Sequence, residues 1–223
     1  RLETGGAQNS LAALQGVIGC PPSPAAPQPA ASGLSRLLQS ALSPGMTFVD
    51  IGAETGVYTL LAAALVGPSG SVIAFEPSPQ AFSLLQQNAQ ASGFIQQPGF
   101  VLHRMAPSGL AALDDLIPEP LRVDIVRIGS PGSEPTVLRG MGRILGRNPH
   151  LRILMQFSPP SLKRAGFDPA GFLDEIQGMG FDIRAVDPLT GQTRQIAGQS
   201  LLSAFNPLLS LSLAPAEVDL PIA

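Results

Sequence analysis

From Leu34 onward, short apolar runs alternate with segments of helical periodicity, and this alternation most constrains the fold. Met46 to Ile51 is a compact apolar run that ends directly on Gly52, as a strand buried on both faces does. Gly56 to Val66 reads as helix, broken by Gly67-Pro68-Ser69-Gly70. Val72 to Phe75 is a second strand, Pro79 to Ala91 a second helix, and Phe100 to His103 a third strand. Arg122 to Ile128 is a fourth strand, followed by a helix from Glu134 to Leu145. Leu151 to Phe157 is a fifth strand, followed by a helix from Pro169 to Met179, and strands over Phe181 to Val186 and Leu201 to Leu213 close the chain. Strands alternating with helices imply βαβ units, hence a mostly parallel sheet covered on both faces. The expected class is therefore α/β, three-layered, seven-stranded and mostly parallel, with a C-terminal antiparallel strand.

Length fits one such domain and a flank: 223 residues against a prior of roughly 100–200 per domain. The flank is visible. Leu11, Leu14 and Val17 fall at helical spacing between Asn9 and Val17. The run Pro21-Pro22-Ser23-Pro24-Ala25-Ala26-Pro27-Gln28-Pro29 is neither helix nor central strand and reads as a semi-rigid linker. The expected division is thus 1–33 as N-terminal helix and linker and 34–223 as the folded domain, in a chain that is part of a larger multidomain protein. A net charge of −3 argues against a nucleic-acid partner, which calls for clustered Lys and Arg. The single cysteine, Cys20, allows no internal disulfide and suits a reducing, cytoplasmic setting. No stretch has the roughly 18–20 uncharged apolar residues of a membrane span, so a soluble domain is expected.

In open α/β sheets, ligands bind at the carboxyl ends of the strands. Two such ends carry chemistry. After the first strand comes Asp50-Ile51-Gly52-Ala53-Glu54-Thr55-Gly56-Val57-Tyr58, in which two glycines allow a sharp turn and a close backbone approach. The helix beginning near Gly56 points free N–H groups at whatever binds there. The spacing is Gly-x-x-x-Gly and not the Gly-x-Gly-x-x-Gly of dinucleotide sites, so a pyrophosphate is not indicated. After the second strand stands Glu76-Pro77, twenty residues beyond Gly56, where a carboxylate can accept hydrogen bonds from the two hydroxyls of a ribose. A structural turn and an ordinary strand-end charge would explain each feature alone; together they favour a nucleoside ligand.

These residues resemble the FkbM family of S-adenosylmethionine-dependent methyltransferases. The similar stretches are Phe48-Val49-Asp50-Ile51-Gly52-Ala53, Val66-Gly67-Pro68-Ser69-Gly70 and Val72-Ile73-Ala74-Phe75-Glu76-Pro77. They continue through Leu113-Asp114-Asp115-Leu116, Val123 to Ile128 and Glu134 to Gly140, so that the likeness spans roughly Leu34 to Asp187. The resemblance implies a seven-stranded Rossmann-like sheet, S-adenosylmethionine as cofactor, and transfer of its methyl group to a hydroxyl of a sugar or secondary metabolite. It implies a cofactor site of Asp50, Gly52, Ala53, Thr55, Gly56, Tyr58, Glu76 and Pro77. Gly52 and Gly56 would flank the methionine part, Asp50 would fix the loop or the amino group, and Glu76 would hold the ribose. The partner is then a small-molecule or glycan acceptor.

The chain departs from that family at two places. Glu54 stands where Asn or His is usual and would repel a methionine carboxylate unless turned outward. After the fourth strand, Ile128-Gly129-Ser130-Pro131-Gly132-Ser133-Glu134 replaces Ile-Asp-Val-Glu-Gly-Ala-Glu, so that only Glu134 of three carboxylates remains. A base that removes the hydroxyl proton typically contributes ~10²–10⁴ in rate. Glu134, Asp114 and His103 are the candidates. Each has a plainer reading: Glu134 complements the dipole of its helix, Asp114 caps or solvates a short helix, and His103 is an edge or core histidine. His150, after Asn148-Pro149, reads as a surface turn residue, and no His/Cys/Asp cluster has metal-ligand spacing. Three functions follow: an active O-methyltransferase with a relocated base; a degraded methyltransferase fold serving as a binding or scaffold module of a glycan-related protein; and a nicotinamide oxidoreductase. The last is disfavoured by the glycine spacing and by the lack of a Tyr-x-x-x-Lys pair.

Overall fold

Ser32 starts the described chain by capping a helix, its Oγ accepting from the N–H of Ser35 at 3.1 Å. The computed structural model describes residues 32–106, 112–196, 198–203 and 209–215. The expected helix Asn9–Val17 and linker Pro21–Pro29 lie outside them, as does Cys20. Close contacts divide the chain into two units. One runs up to Ala106 and takes in Pro188–Gly191; the other holds the remainder.

The first unit contains α1 (Gly33–Ala41), β1 (Thr47–Ile51), α2 (Val57–Val66), β2 (Ser71–Phe75), α3 (Pro79–Ala91), a 3₁₀ turn (Phe94–Gln96) and β3 (Phe100–His103). Its strands lie in the order β3-β2-β1, all parallel, with Val49 opposite Ile73 and Ile73 opposite Val101. Every residue of β1 is buried, in keeping with its continuous apolar run. Ser78 caps α3 and Pro79 occupies its first turn, where a missing N–H costs nothing. The buried residues of α3, Phe82, Leu85, Asn88 and Ala89, recur at helical spacing. Phe82 and Leu85 meet Ala53, Ala74 and Leu102 in one apolar cluster, so α3 rests directly beneath the turn that follows β1.

The second unit contains α4 (Leu113–Leu116), β4 (Ile125–Ile128), α5 (Glu134–Arg139), α6 (Gly142–Arg147), β5 (Arg152–Phe157), α7 (Pro159–Arg164) and α8 (Pro169–Gly178). It ends with β6 (Phe181–Val186), β7 (Thr193–Gln195), α9 (Gly198–Ser203) and β8 (Leu209–Pro215). β4 and β5 pair in parallel, whereas β8 inserts antiparallel between β5 and β6, and β7 pairs antiparallel with β6.

The α/β class and the parallel strands agree with the sequence; the count of seven does not. Eight strands are present among the described residues, five in parallel pairs and three in antiparallel ones. The additional strand, β7, has only three residues and no fully buried one, so it lacks any apolar run to announce it. The expected strand Leu201–Leu213 divides into α9 and β8, because an apolar stretch does not by itself choose between helix and strand. The expected helix Glu134–Leu145 also divides. Gly140 and Met141 separate α5 from α6, and α6 receives its own cap from Asp114. No helix among the described residues is long and apolar enough to cross a membrane.

Candidate functional site

The turn after β1 is built from backbone conformations that few residues adopt. Gly52, Glu54 and Gly56 have φ of 74°, 52° and 94°. Glu54 is the one non-glycine residue with positive φ among the described residues, a conformation that costs roughly 1–2 kcal/mol. Hydrogen bonds hold it there. The N–H groups of Gly52 and Ala53 both donate to the carbonyl of Phe75 at the end of β2, at 2.9 and 3.1 Å. The N–H of Glu54 donates to Oε2 of Glu76 at 2.8 Å, and the N–H of Ser78 donates to Oε1 at 2.8 Å. Glu76 therefore ties the two strand ends together, with its side chain almost buried. Each carboxylate oxygen retains a lone pair beyond the backbone N–H it accepts.

Asp50 and Thr59 lock the other side of the turn. The Thr59 hydroxyl donates to Oδ2 of fully buried Asp50 at 2.6 Å, joining β1 to the first turn of α2. Asp50 thus stands near the positive end of that helix, where a carboxylate is favoured. Gly56 is the N-cap residue of α2 and supplies no side-chain acceptor. By contrast, Ser32, Ser78 and Asp168 cap α1, α3 and α8 with side-chain oxygens. α2 therefore begins without a side-chain cap from its N-cap residue, and a helix start of this kind is an ordinary place for a carboxylate or phosphate.

The glycine at position 56 has a reason apart from any ligand. A Cβ there would come within 2.5 Å of Cδ1 of Leu85 on α3, so packing beneath the turn already favours glycine. The carbonyl of Thr55 accepts from Nδ2 of Asn88 at 2.9 Å, which fastens the turn to the same helix. Glu54 is exposed to solvent. Tyr58 directs its hydroxyl to within 3.5 Å of Oγ of Ser32 at the start of α1, and Pro77 is exposed. Asp50, Gly52, Ala53, Thr55, Gly56 and Glu76 are thus brought together around one turn, with Tyr58 and Pro77 at its margins.

His103 belongs to the same unit. Its ring stacks on Phe75 at 4.8 Å between centroids, its carbonyl accepts the N–H of Glu76 at 3.0 Å, and burial lowers its pKa. Glu134 and Asp114 belong to the other unit. Both oxygens of Asp114 accept backbone N–H groups of α6, those of Arg143 and Ile144, at 2.8 Å each. This is the geometry of a helix cap. Glu134 is fully buried at the start of α5, with Oε2 accepting from the N–H of Gly132 at 2.6 Å. Oε1 has no hydrogen-bond partner among the described residues. Burial pushes its pKa to about 7, outweighing the backbone N–H donors of Glu134 and Gly132 that pull the other way.

The altered turn after β4 has a steric counterpart. Arg127 is buried on β4, and its guanidinium lies against Gly129, with Cζ 2.6 Å from where a Cβ would stand. Any side chain at 129 would require the Arg127 guanidinium to shift.

Sequence reading did not single out Asn88, Thr59 and Ser78, which hold the turn and Glu76 in place. Asn88 carried a signal. It is a polar residue three positions after Leu85 on the inward face of α3, and a polar residue on such a face needs a partner. Thr59 and Ser78 carried none, since hydroxyls at helix starts are common.

No protein-family model and no curated protein sequence matches the chain. Solved structures do. A candidate rRNA methylase from Clostridium thermocellum superposes with a TM-score of 0.59 at 15% identity, covering 83% of this chain and 95% of that one. The cofactor-bound Rv0187 protein from MTB gives 0.56 at 16% identity over 97% and 92% of the two chains. A SAM-dependent O-methyltransferase from Thermotoga maritima gives 0.51 at 14% identity over 84% of this chain and 65% of its own. At these identities the likeness shows the fold, the Rossmann-like α/β architecture of methyltransferases.

Proposed function

We propose that this chain binds S-adenosylmethionine at the turn after β1 and transfers its methyl group to a hydroxyl of a sugar or secondary metabolite, in the manner of the FkbM family. One observation carries the reading. A nearly buried carboxylate, Glu76, is fixed by two backbone N–H donors at the end of β2, beside a helix whose N-cap residue is a glycine. A molecule that joins vicinal ribose hydroxyls to an amino-acid carboxylate matches both features. Glu76 has lone pairs left for the hydroxyls, and the N–H groups of α2 suit the carboxylate.

When bound, the cofactor supplies an electrophilic methyl group, so the chain's own residues need to orient the acceptor and take up a proton. Glu134 is the base candidate with a suitable affinity for that proton, since a pKa of about 7 matches operation near neutrality. Asp114 is committed to the cap of α6. His103 is a neutral acceptor whose ring already lies against Phe75.

A second reading has its own support. With two family carboxylates replaced by Gly129 and Pro131, Glu134 buried and Asp114 occupied, the chain fits a cofactor-binding module that has lost transfer chemistry. Calorimetric titration with S-adenosylmethionine, beside Glu76→Ala, tests the common premise. Loss of a charged acceptor is expected to weaken binding by about 1.5–3 kcal/mol. Absence of heat at millimolar cofactor, with the protein folded, refutes both readings. Binding without turnover on hydroxyl acceptors favours the second.

A further inference from the structure

The second unit carries a pocket lined by two arginines, distinct from the turn after β1. A cavity of about 170 Å³ is lined by Arg122, Val123 and the run Arg147 to Leu151. These residues precede β4 and β5, so the cavity opens at the amino ends of two parallel strands, whereas ligands of such sheets bind at the carboxyl ends. Asn148 shapes it. Its Oδ1 accepts from the N–H of Val123 at 3.0 Å and its Nδ2 donates to the carbonyl of Ile144 at 2.8 Å, fixing the cavity floor.

Three side chains with N–H groups, Arg122, Arg147 and His150, stand in its wall, and Nε of Arg122 is paired with Oδ1 of Asp124 at 2.9 Å, which leaves its Nη groups to face a ligand. Arg147 is the informative one. Nη1 donates to Oε1 of Glu119 at 3.0 Å, while Nε and Nη2 are shielded and have no hydrogen-bond partner among the described residues. These two atoms form one edge of the planar guanidinium, the fork that grips an oxyanion with two parallel bonds. Arg139 displays the same edge in use, with Nε and Nη2 donating to the two oxygens of Glu175 at 2.9 and 2.8 Å. An unmatched fork inside the protein is unfavourable, and the Glu119 partner is 64% exposed, so the pair restrains Arg147 only weakly.

We propose that this cavity binds a phosphate-class oxyanion, with Arg147 turning its Nε–Nη2 edge inward to grip two oxygens and Arg122 and His150 meeting the others. A tetrahedral anion suits donors arriving from three side chains better than a planar carboxylate, which one fork already satisfies. The anion is either free phosphate or the phosphoryl group of a small metabolite.

The chain has two histidines, His103 and His150, so their imidazole resonances in NMR report separately on the two units. Inorganic phosphate is titrated into the protein at constant ionic strength, with sodium chloride as balance. The site predicts a saturable shift of the His150 resonance and no shift of His103. Arg147→Gln and Arg147→Lys should each weaken the response at least about tenfold, because lysine keeps the charge and loses the fork. Arg164→Gln, a cation outside the cavity, should leave it unchanged. Glucose 1-phosphate as a second probe separates the sources: tighter binding than inorganic phosphate assigns a phosphorylated metabolite, and equal or weaker binding assigns the free ion. A His150 resonance that does not saturate through the millimolar range, or that saturates equally in Arg147→Lys, overturns the proposal.

Discussion

Replacing Glu134 by glutamine should change the pH dependence of this protein's stability. The carboxyl is fully buried, and burial raises its pKa from 4.5 to about 7. Below pH 4.5 the folded and unfolded chains are both protonated here, and folding carries no electrostatic penalty. Between pH 4.5 and about 7 the folded chain keeps a proton that the unfolded chain has released, so stability falls as pH rises. Above pH 7 both forms are ionised and the penalty is complete. Each pKa unit is worth about 1.4 kcal/mol, so the rise costs the wild-type protein about 3 kcal/mol at pH 8. Glutamine cannot ionise, and its side-chain carbonyl can accept the N–H of Gly132 as Oε2 does. Urea unfolding of both proteins across this range should therefore show Glu134→Gln gaining about 3 kcal/mol on wild type between pH 4.5 and pH 8, with equal m-values. All other titrating groups are common to the two proteins and cancel in the difference. A difference that stays constant with pH would refute the reasoning, because it would mean that the ionised carboxyl finds water or a counter-charge at no cost.

Gly56→Ala should destabilise the protein by about 2–4 kcal/mol, since it combines an unfavourable φ with a clash against Leu85; an unchanged urea midpoint would show that the turn and α3 can both yield. Glu54→Gly should stabilise by about 0.5–1 kcal/mol while leaving cofactor affinity intact, because the backbone N–H and not the side chain serves Glu76. Weaker cofactor binding in that variant would assign the Glu54 side chain a role. Asp114→Ala removes the cap of α6 and should cost about 1–2 kcal/mol in urea unfolding, with turnover per folded molecule unchanged. Turnover lost at normal stability would make Asp114 the base instead.

The sequence alone determined the parts of this protein that depend on neighbours in the chain. β1, β2, β3 and β5 and the helices α2, α3 and α8 are legible because their residues repeat at 2.0 or 3.6 spacing or run continuously apolar, and because Gly, Pro and Ser mark their ends. Gly52, Gly56 and Glu76 were legible for a related reason: each sits at a fixed distance from a strand end, and a parallel sheet places those ends on one side. Tertiary structure decided what those residues do. That Gly56 makes room for Leu85, that Asn88 and Thr59 fasten the turn, and that Glu76 bonds to Glu54 and Ser78 all depend on contacts between segments. The same holds for the base candidates, which look alike as isolated acids in the sequence. Asp114 is spent on the N–H groups of a helix about thirty residues away, while Glu134 is withdrawn from water and holds its proton to near neutrality. Local sequence fixes dihedral preference and hydrophobic period. Proton affinity and hydrogen-bond satisfaction are set by what packs around a side chain, and only the folded chain supplies that.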